Sequence, residues 1–353
     1  MTRSLDPPYG AADPGGMLAR IEALADQVGQ ALERGAAAPW GPRGITPDLL
    51  AVGALGGSAI AADLTAGLYG DRLPHPLVVV REYRWPAFVT RASLTLLCSY
   101  SGDTEETLSL YRQAGERGVP RAAVSSGGRL TEWCERDRVP LTRVPGGSPP
   151  RAALFGSWVG LTGLLHGLGW IEDPAPAWRE AAAVLAAGAL ALGGRSPEAA
   201  NPAKRIARSF GQKRLFIYAA SERLGPVVTR VRNQINENAK LLSHSALVPE
   251  LNHNEIVGWE IPGEGHAGSA VLVLRDREDA AQVSKRLTLT AEYATSRGAT
   301  VHEWSSIGEG RLARLASLVQ FGDYLSFYLA LLNGADPTPI PSIDEFKRRL
   351  AAP

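Results

Sequence analysis

From Leu49 onward, short apolar runs alternate with segments of helical periodicity, and that alternation leaves few folds open. Residues 49–55 are apolar and end in Gly56-Gly57-Ser58; residues 59–68 then read as a helix. Residues 77–80 are dense in β-branched side chains. Residues 94–98 form another run, ending in Ser99-Tyr100-Ser101-Gly102-Asp103-Thr104, and 105–114 read as a helix. Residues 122–125 predict a strand and 131–136 a short helix. The strands are continuously apolar rather than alternating, which is the pattern of a parallel sheet covered on both faces.

The pattern restarts after Gly193-Gly194-Arg195-Ser196-Pro197, a linker-like stretch that runs to Pro202. Strands are predicted at 215–218, 270–274 and 299–304, and helices at 224–242, 280–296 and 312–332. Pro337 to Pro341 breaks the chain before a last amphipathic helix, 342–350. The expectation is an α/β chain with two successive three-layer αβα units, each with a central parallel sheet. Residues 17–33 and 177–192 add two helices, and residues 1–16, rich in Pro, Gly and Asp, suggest a loose arm.

With 353 residues the chain is long for one domain and comfortable for two. Lys plus Arg number 37 against 36 Asp plus Glu, so nothing points to nucleic acid or to an anionic membrane surface. Cys98 and Cys134 make no disulfide framework and suit free thiols in a reducing cytoplasm. No apolar signal core opens the chain. Residues 152–170 carry no charged side chain, but their glycines, His166 and lack of a basic flank favour a buried helix over a membrane span.

Two regions carry chemistry. In the first, Ser58 sits in one strand-to-helix turn, and Ser99, Ser101 and Thr104 in another. Such turns offer hydroxyls, backbone N–H groups and a helix start to one point, which holds a phosphate without a lysine. Ordinary helix capping uses the same residue types; two such turns on neighbouring strands favour the phosphate. The second region is residues 233–259, where Glu237, Glu250, Glu255, His244 and His253 crowd together. A helix holds Glu237 rigidly. Past Pro249, a loop can bring His253 to it or to a neighbouring subunit, making a carboxylate–imidazole pair for proton transfer. There is no dinucleotide fingerprint, Walker loop, HExxH or Cys/His zinc spacing, so no metal and no cofactor is expected.

The run Tyr100-Ser101-Gly102-Asp103-Thr104-Glu105-Glu106-Thr107, with Gly56-Gly57-Ser58-Ala59, resembles the sugar isomerase (SIS) domain, an αβα sandwich that binds phosphosugars. Asn236-Glu237-Asn238-Ala239-Lys240, Pro249-Glu250-Leu251-Asn252-His253-Asn254-Glu255 and Pro149-Pro150-Arg151-Ala152-Ala153 resemble the bifunctional phosphoglucose/phosphomannose isomerases. The resemblance runs from about Leu49 to Leu350. It implies residues 1–45 as an amino-terminal arm and helix, 46–195 as a first SIS domain and 203–353 as a second. It implies Gly57, Ser58, Ser99, Ser101 and Thr104 as phosphate ligands and Glu237 as the base. His253 would enter from the partner subunit of a homodimer to assist ring opening, with Lys347 at the same step and Arg151 beside the enediolate. The implied reaction interconverts glucose 6-phosphate and mannose 6-phosphate with fructose 6-phosphate. Its rivals are a SIS isomerase of amino-sugar or heptose phosphates and a non-catalytic phosphosugar sensor. The sequence departs from the family at Ala54-Leu55, where a methionine is usual, and at Asp103, where asparagine is common; Asp103 is expected to point away or to cap the next helix. Thr338 lies near a family threonine linked to acceptance of both epimers.

Overall fold

The computed structural model describes residues 3–37, 44–260 and 266–350. Helices α1 (Met17–Glu22) and α2 (Leu24–Ala37) precede a five-stranded parallel sheet. The chain falls into two compact units. The amino unit is Leu24–Ala183 with Glu309–Ala313; the carboxyl unit comprises Val184–Gly308, the chain from Arg314 on, and the segment before Leu24.

In the amino unit the elements follow as β1 (Leu50–Ala54), α3 (Gly56–Tyr69), β2 (Leu77–Val80), β3 (Leu94–Cys98), α4 (Glu105–Glu116), β4 (Arg121–Ser125), α5 (Gly128–Asp137) and β5 (Leu141–Arg143). The strand order is β2-β1-β3-β4-β5, all parallel. Side chains alternate between two apolar layers. Leu50, Val52, Leu94 and Leu96 pack toward α3 and α6 (Leu154–Gly167). Ala51, Leu97 and Ala123 pack toward α4 and α5. Both faces are covered, which is why the strands read as unbroken apolar runs. The uncharged stretch is α6, a core helix: its Trp158 meets Trp178 of α7 (Ala175–Leu192) edge to face at 5.1 Å, and the Trp178 Nε1–H donates to Thr162 Oγ1 at 2.8 Å.

The carboxyl unit contains α8 (Pro202–Phe210), β6 (Arg214–Ala220), α9 (Ser221–Ala239), β7 (Ser243–Val248), β8 (Ser269–Arg275), α10 (Ala281–Ser296), β9 (Thr300–Ser305), most of α11 (Arg311–Asn333) and α12 (Pro341–Leu350). The strand order is β7-β6-β8-β9, again all parallel. Among the described residues, α11 is the one helix long and apolar enough to cross a membrane, and 94% of its apolar window is buried within the chain.

Several local readings change. The helix expected over 17–33 breaks at Ala23 into α1 and α2, and the edge strand β5 lies where none was expected. The helix expected to reach Leu242 stops at Ala239, where Lys240 turns left-handed (φ 53°) and its Nζ donates to the Glu237 carbonyl at 2.6 Å; β7 follows. Helix α8 lies where none was expected, capped by Asn201, whose side chain accepts from the Lys204 N–H. The segment before Met17 is held rather than loose. Leu5 is fully buried, and the buried Lys204 Nζ donates to Asp6 Oδ1 (2.9 Å) and to the carbonyls of Gly194 (3.0 Å) and Ser196 (2.7 Å).

Candidate active site

In the amino unit, β1 leads outward through α3 to β2, and the chain returns to place β3 on the other side of β1, with Ala54 opposite Cys98. The direction of winding reverses between β1 and β3, and a crevice opens at that point beyond the strands' carboxyl ends. The start of α3, which carries Ser58, and the turn Ser99–Thr104 lie there. The helices that start there, α3 and α4, have Leu55 and Thr104 as N-caps, and neither side chain caps its helix. Capping by these N-cap side chains is therefore absent; in α3 the Ser58 N–H turns back to the Leu55 carbonyl at 3.1 Å, which leaves the glycine amides before it as the first groups a ligand would meet.

The longer turn is shaped from within. Ser99 is buried; its Oγ accepts from the N–H groups of Gly102 (3.1 Å) and Thr104 (3.4 Å) and lies 2.8 Å from Thr104 Oγ1. Ser101 is exposed, and its Oγ accepts from the Asp103 N–H at 3.3 Å. Gly102 has φ 77°, and a Cβ there would run into the Gly127 carbonyl, so only glycine fits. Asp103 turns aside: Oδ1 accepts from Arg129 Nε at 2.9 Å and the Arg129 N–H at 3.3 Å, at the start of α5 rather than of α4.

A Cβ on Gly57 would sit 3.1 Å from the Pro150 carbonyl and 3.2 Å from the Arg151 nitrogen. This places the 3-10 turn Pro150–Ala152 against the first turn of α3, with Arg151 only 3% exposed. Gly57, Ser58 and Arg151 are thus brought together, next to the strand whose turn supplies Ser99, Ser101 and Thr104. A buried guanidinium, two helix starts without a side-chain cap and several hydroxyls are groups of the kind that suit an anion. Cys98 lies at the edge of the same turn, and burial pushes its thiol up to about 12.

In the carboxyl unit, Glu237 is half-buried in the last turn of α9. The helix is locked by a polar seam. Arg230 grips Asp323 of α11 through two nitrogens (3.0 and 2.8 Å to Oδ1 and Oδ2 from Nη2, 3.2 Å from Nε), and both side chains are 2% exposed. One and two turns on, Gln234 donates to Asp323 at 2.9 Å and Asn238 to Ser326 Oγ at 2.9 Å. Asn236 Oδ1 accepts from the Ser243 N–H (3.0 Å) and hydroxyl (2.8 Å), tying the helix end to β7. The sequence signal for this seam is Asp323 itself, a lone carboxylate in an apolar helix, which must be paired.

His253 is exposed on an arm of two 3-10 turns, Glu250–His253 and Glu255–Trp259. The arm packs on the face of the sheet that carries Tyr218, Val248, Val271 and Val273, against Leu287 and Ala291 of α10. The opposite face, with Ser243 and Ser245, meets α9 through Asn236 and Arg232. Within one chain the sheet therefore stands between Glu237 and His253. Lys347 is exposed on α12, which has no buried residue, together with Phe346 and Leu350. Thr338 precedes α12, and its N–H donates to Asp336 Oδ1 at 2.9 Å.

Glu255 meets His244, already noted in the sequence, and Tyr218, which the sequence did not single out. Its Oε1 accepts from the Tyr218 hydroxyl at 2.5 Å, and its Oε2 lies 2.8 Å from His244 Nε2. Burial, with the Glu255 carboxylate adding to it, pushes the Tyr218 hydroxyl far above its ordinary range, so it remains a donor. Among the described residues no group of three or more His, Cys, Asp or Glu side chains is placed to hold a metal ion.

Comparison with known proteins places the chain in a family. Residues 199–350 match the model of the bacterial phospho-glucose isomerase C-terminal SIS domain. A bifunctional phosphoglucose/phosphomannose isomerase of Caldicellulosiruptor bescii is 36% identical over 95% of this chain and 99% of its own. The chain belongs to the bifunctional phosphoglucose/phosphomannose isomerase family. A second member, from Aquifex aeolicus, is 31% identical over 84% of this chain and 88% of its own. The fold is also that of the C-terminal domain of glucosamine-fructose-6-phosphate aminotransferase from Francisella tularensis, with TM-score 0.71 and 16% identity over 93% of this chain and 100% of that one.

Proposed function

We propose that this chain interconverts glucose 6-phosphate and mannose 6-phosphate with fructose 6-phosphate, without a cofactor, through a cis-enediolate. As a member of an isomerase family it is an enzyme, and the kinship over nearly its whole length carries the reading. The reaction moves a proton between C1 and C2. It needs a carboxylate over that edge, a cation for the enediolate oxygen and an acid/base pair at the ring oxygen. In this reading Gly57, Ser58, Ser99, Ser101 and Thr104 hold the phosphate. Arg151, buried against Gly57, stabilises the enediolate. Glu237, held by the seam around Asp323, is the base. Lys347 and His253 serve ring opening.

His253 acts in the site of a second copy. The support is the sheet that separates its arm from Glu237 in one chain. The working form is then a homodimer with shared sites, in the cytoplasm, with a phosphosugar rather than nucleic acid or membrane as partner. The test is an isomerase assay with chelator present, following fructose 6-phosphate from each aldose separately. Turnover of both sugars is expected. Turnover of glucose 6-phosphate alone would remove the second activity, and fructose 6-phosphate binding without any turnover would replace the enzyme with a sensor.

A further inference from the structure

The arm that carries His253 leaves β7 after Val248 and has no strand partner of its own. Its apolar anchors are Leu251 and Trp259, both buried. Its polar anchors flank His253 closely. One residue before it, Asn252 Nδ2 donates to Thr290 Oγ1 of α10 at 2.9 Å. Two residues after it, Glu255 divides its carboxylate between two strands: one oxygen takes the Tyr218 hydroxyl of central β6, the other faces His244 on edge strand β7. Tyr218 is fully buried and also accepts from Trp259 Nε1 at 3.2 Å, so its oxygen joins both halves of the second turn to the core.

We propose that Glu255 is a positioning residue for the isomerase reaction. By bridging Tyr218 and His244 it fixes the bend of the arm, and so the place at which His253 is offered to the second copy. The proposal rests on the reading of His253 as a ring-opening group. A side chain presented from a short arm to another subunit needs that arm fixed, since a displacement of about 1 Å at a reacting group costs on the order of 100-fold in rate. Leu251 and Trp259 keep the arm attached without Glu255, but neither sets the rotation of the bend between them. Both Glu255 oxygens are engaged within its own chain, so the carboxylate acts through His253 rather than on the sugar.

The test is a double-mutant cycle on the full-length protein, with amide hydrogen exchange as an independent readout. Glu255→Ala is expected to lower kcat on glucose 6-phosphate by about 10- to 100-fold with KM changed less than about threefold. In a His253→Ala background the same change should cost less than about threefold, because the group it positions is gone. Glu255→Gln keeps an acceptor for Tyr218 and should restore kcat to within about threefold of wild type. Exchange of amides 250–259 should quicken about tenfold in Glu255→Ala, with the remainder of the carboxyl unit unchanged. An equal loss in both backgrounds, or no loss in either with unchanged exchange, would overturn the proposal. A wild-type protein inert on both sugars would overturn the isomerase reading instead, and the exchange at 250–259 would still decide whether Glu255 holds the arm.

Discussion

The two sheets share a strand order over their first four strands, yet the ends of equivalent strands do opposite things. In the amino unit the turn after β3 is built of hydroxyls, a glycine and amides, and its one acid, Asp103, is drawn off by Arg129. In the carboxyl unit the turn after β8 reads Asp276-Arg277-Glu278-Asp279, and the acid stays in place. Asp276 accepts from Arg314 Nε at 2.9 Å, the Ser306 hydroxyl at 2.7 Å and the Glu278 N–H at 3.0 Å. Burial works to raise its pKa, but these partners outweigh it and hold the carboxyl below the usual carboxylate range. The second sheet thus carries its own anion where the first is open to one. The fold supplies a crevice twice, and in the proposed reading side chains leave only the first of them to a phosphate.

The largest effect belongs to the proposed base: Glu237→Gln should lower kcat by at least about 1,000-fold while fructose 6-phosphate still binds by calorimetry. Retained turnover would remove the carboxyl unit from the chemistry. Next, Asp276→Ala leaves the buried Arg314 without its main partner and should cost about 3–5 kcal/mol of stability in denaturant melts, with KM unchanged. A raised KM in a stable variant would mean that the second crevice serves the substrate after all. Ser99→Ala removes the hydroxyl that shapes the turn after β3 and should raise KM about tenfold, or about 1.4 kcal/mol, with a smaller change in stability.

The smallest effect is in the pH dependence. The folded pKa of Asp276 is depressed below its unfolded value of about 3.9. Its contribution to stability is therefore complete above that value and is lost as pH falls through the folded pKa. Melting temperatures measured from pH 6 to 3 should fall less steeply in Asp276→Asn than in the wild type. An identical slope would show that Asp276 does not titrate differently in the two states.

Most of the fold was legible because parallel strands covered on both faces leave continuous apolar runs. Strands 77–80 and 94–98 were read to the residue for that reason. Strand β7 was hidden: Ser243, His244 and Ser245 belong to an edge, and Leu241 and Leu242 extend the apolar spacing of α9 past its true end, although Leu242 is 87% exposed. Helix α8 was masked by the Pro- and Gly-rich stretch before it, while its cap signal, Asn201 followed by Pro202, was in view. The amino-terminal segment looked loose because its composition is that of a linker; Leu5 and the reach of Lys204 to Asp6 bind it down across a separation no local pattern encodes.

The α/β class, the hydroxyl-rich turns after β1 and β3, and the chemically distinctive residues around Glu237 and His253 can all be read from the sequence alone. Those are properties of local periodicity and residue type, which a linear text carries. Only the tertiary structure decided that Asp103 leaves its turn while Asp276 stays in its own, that Asp323 is the clasp of the helix bearing Glu237, and that a sheet stands between that helix and the arm bearing His253. Each of these depends on which distant side chain reaches a given charge first, or on which face of a strand it leaves from, and neither is settled until the strands have paired.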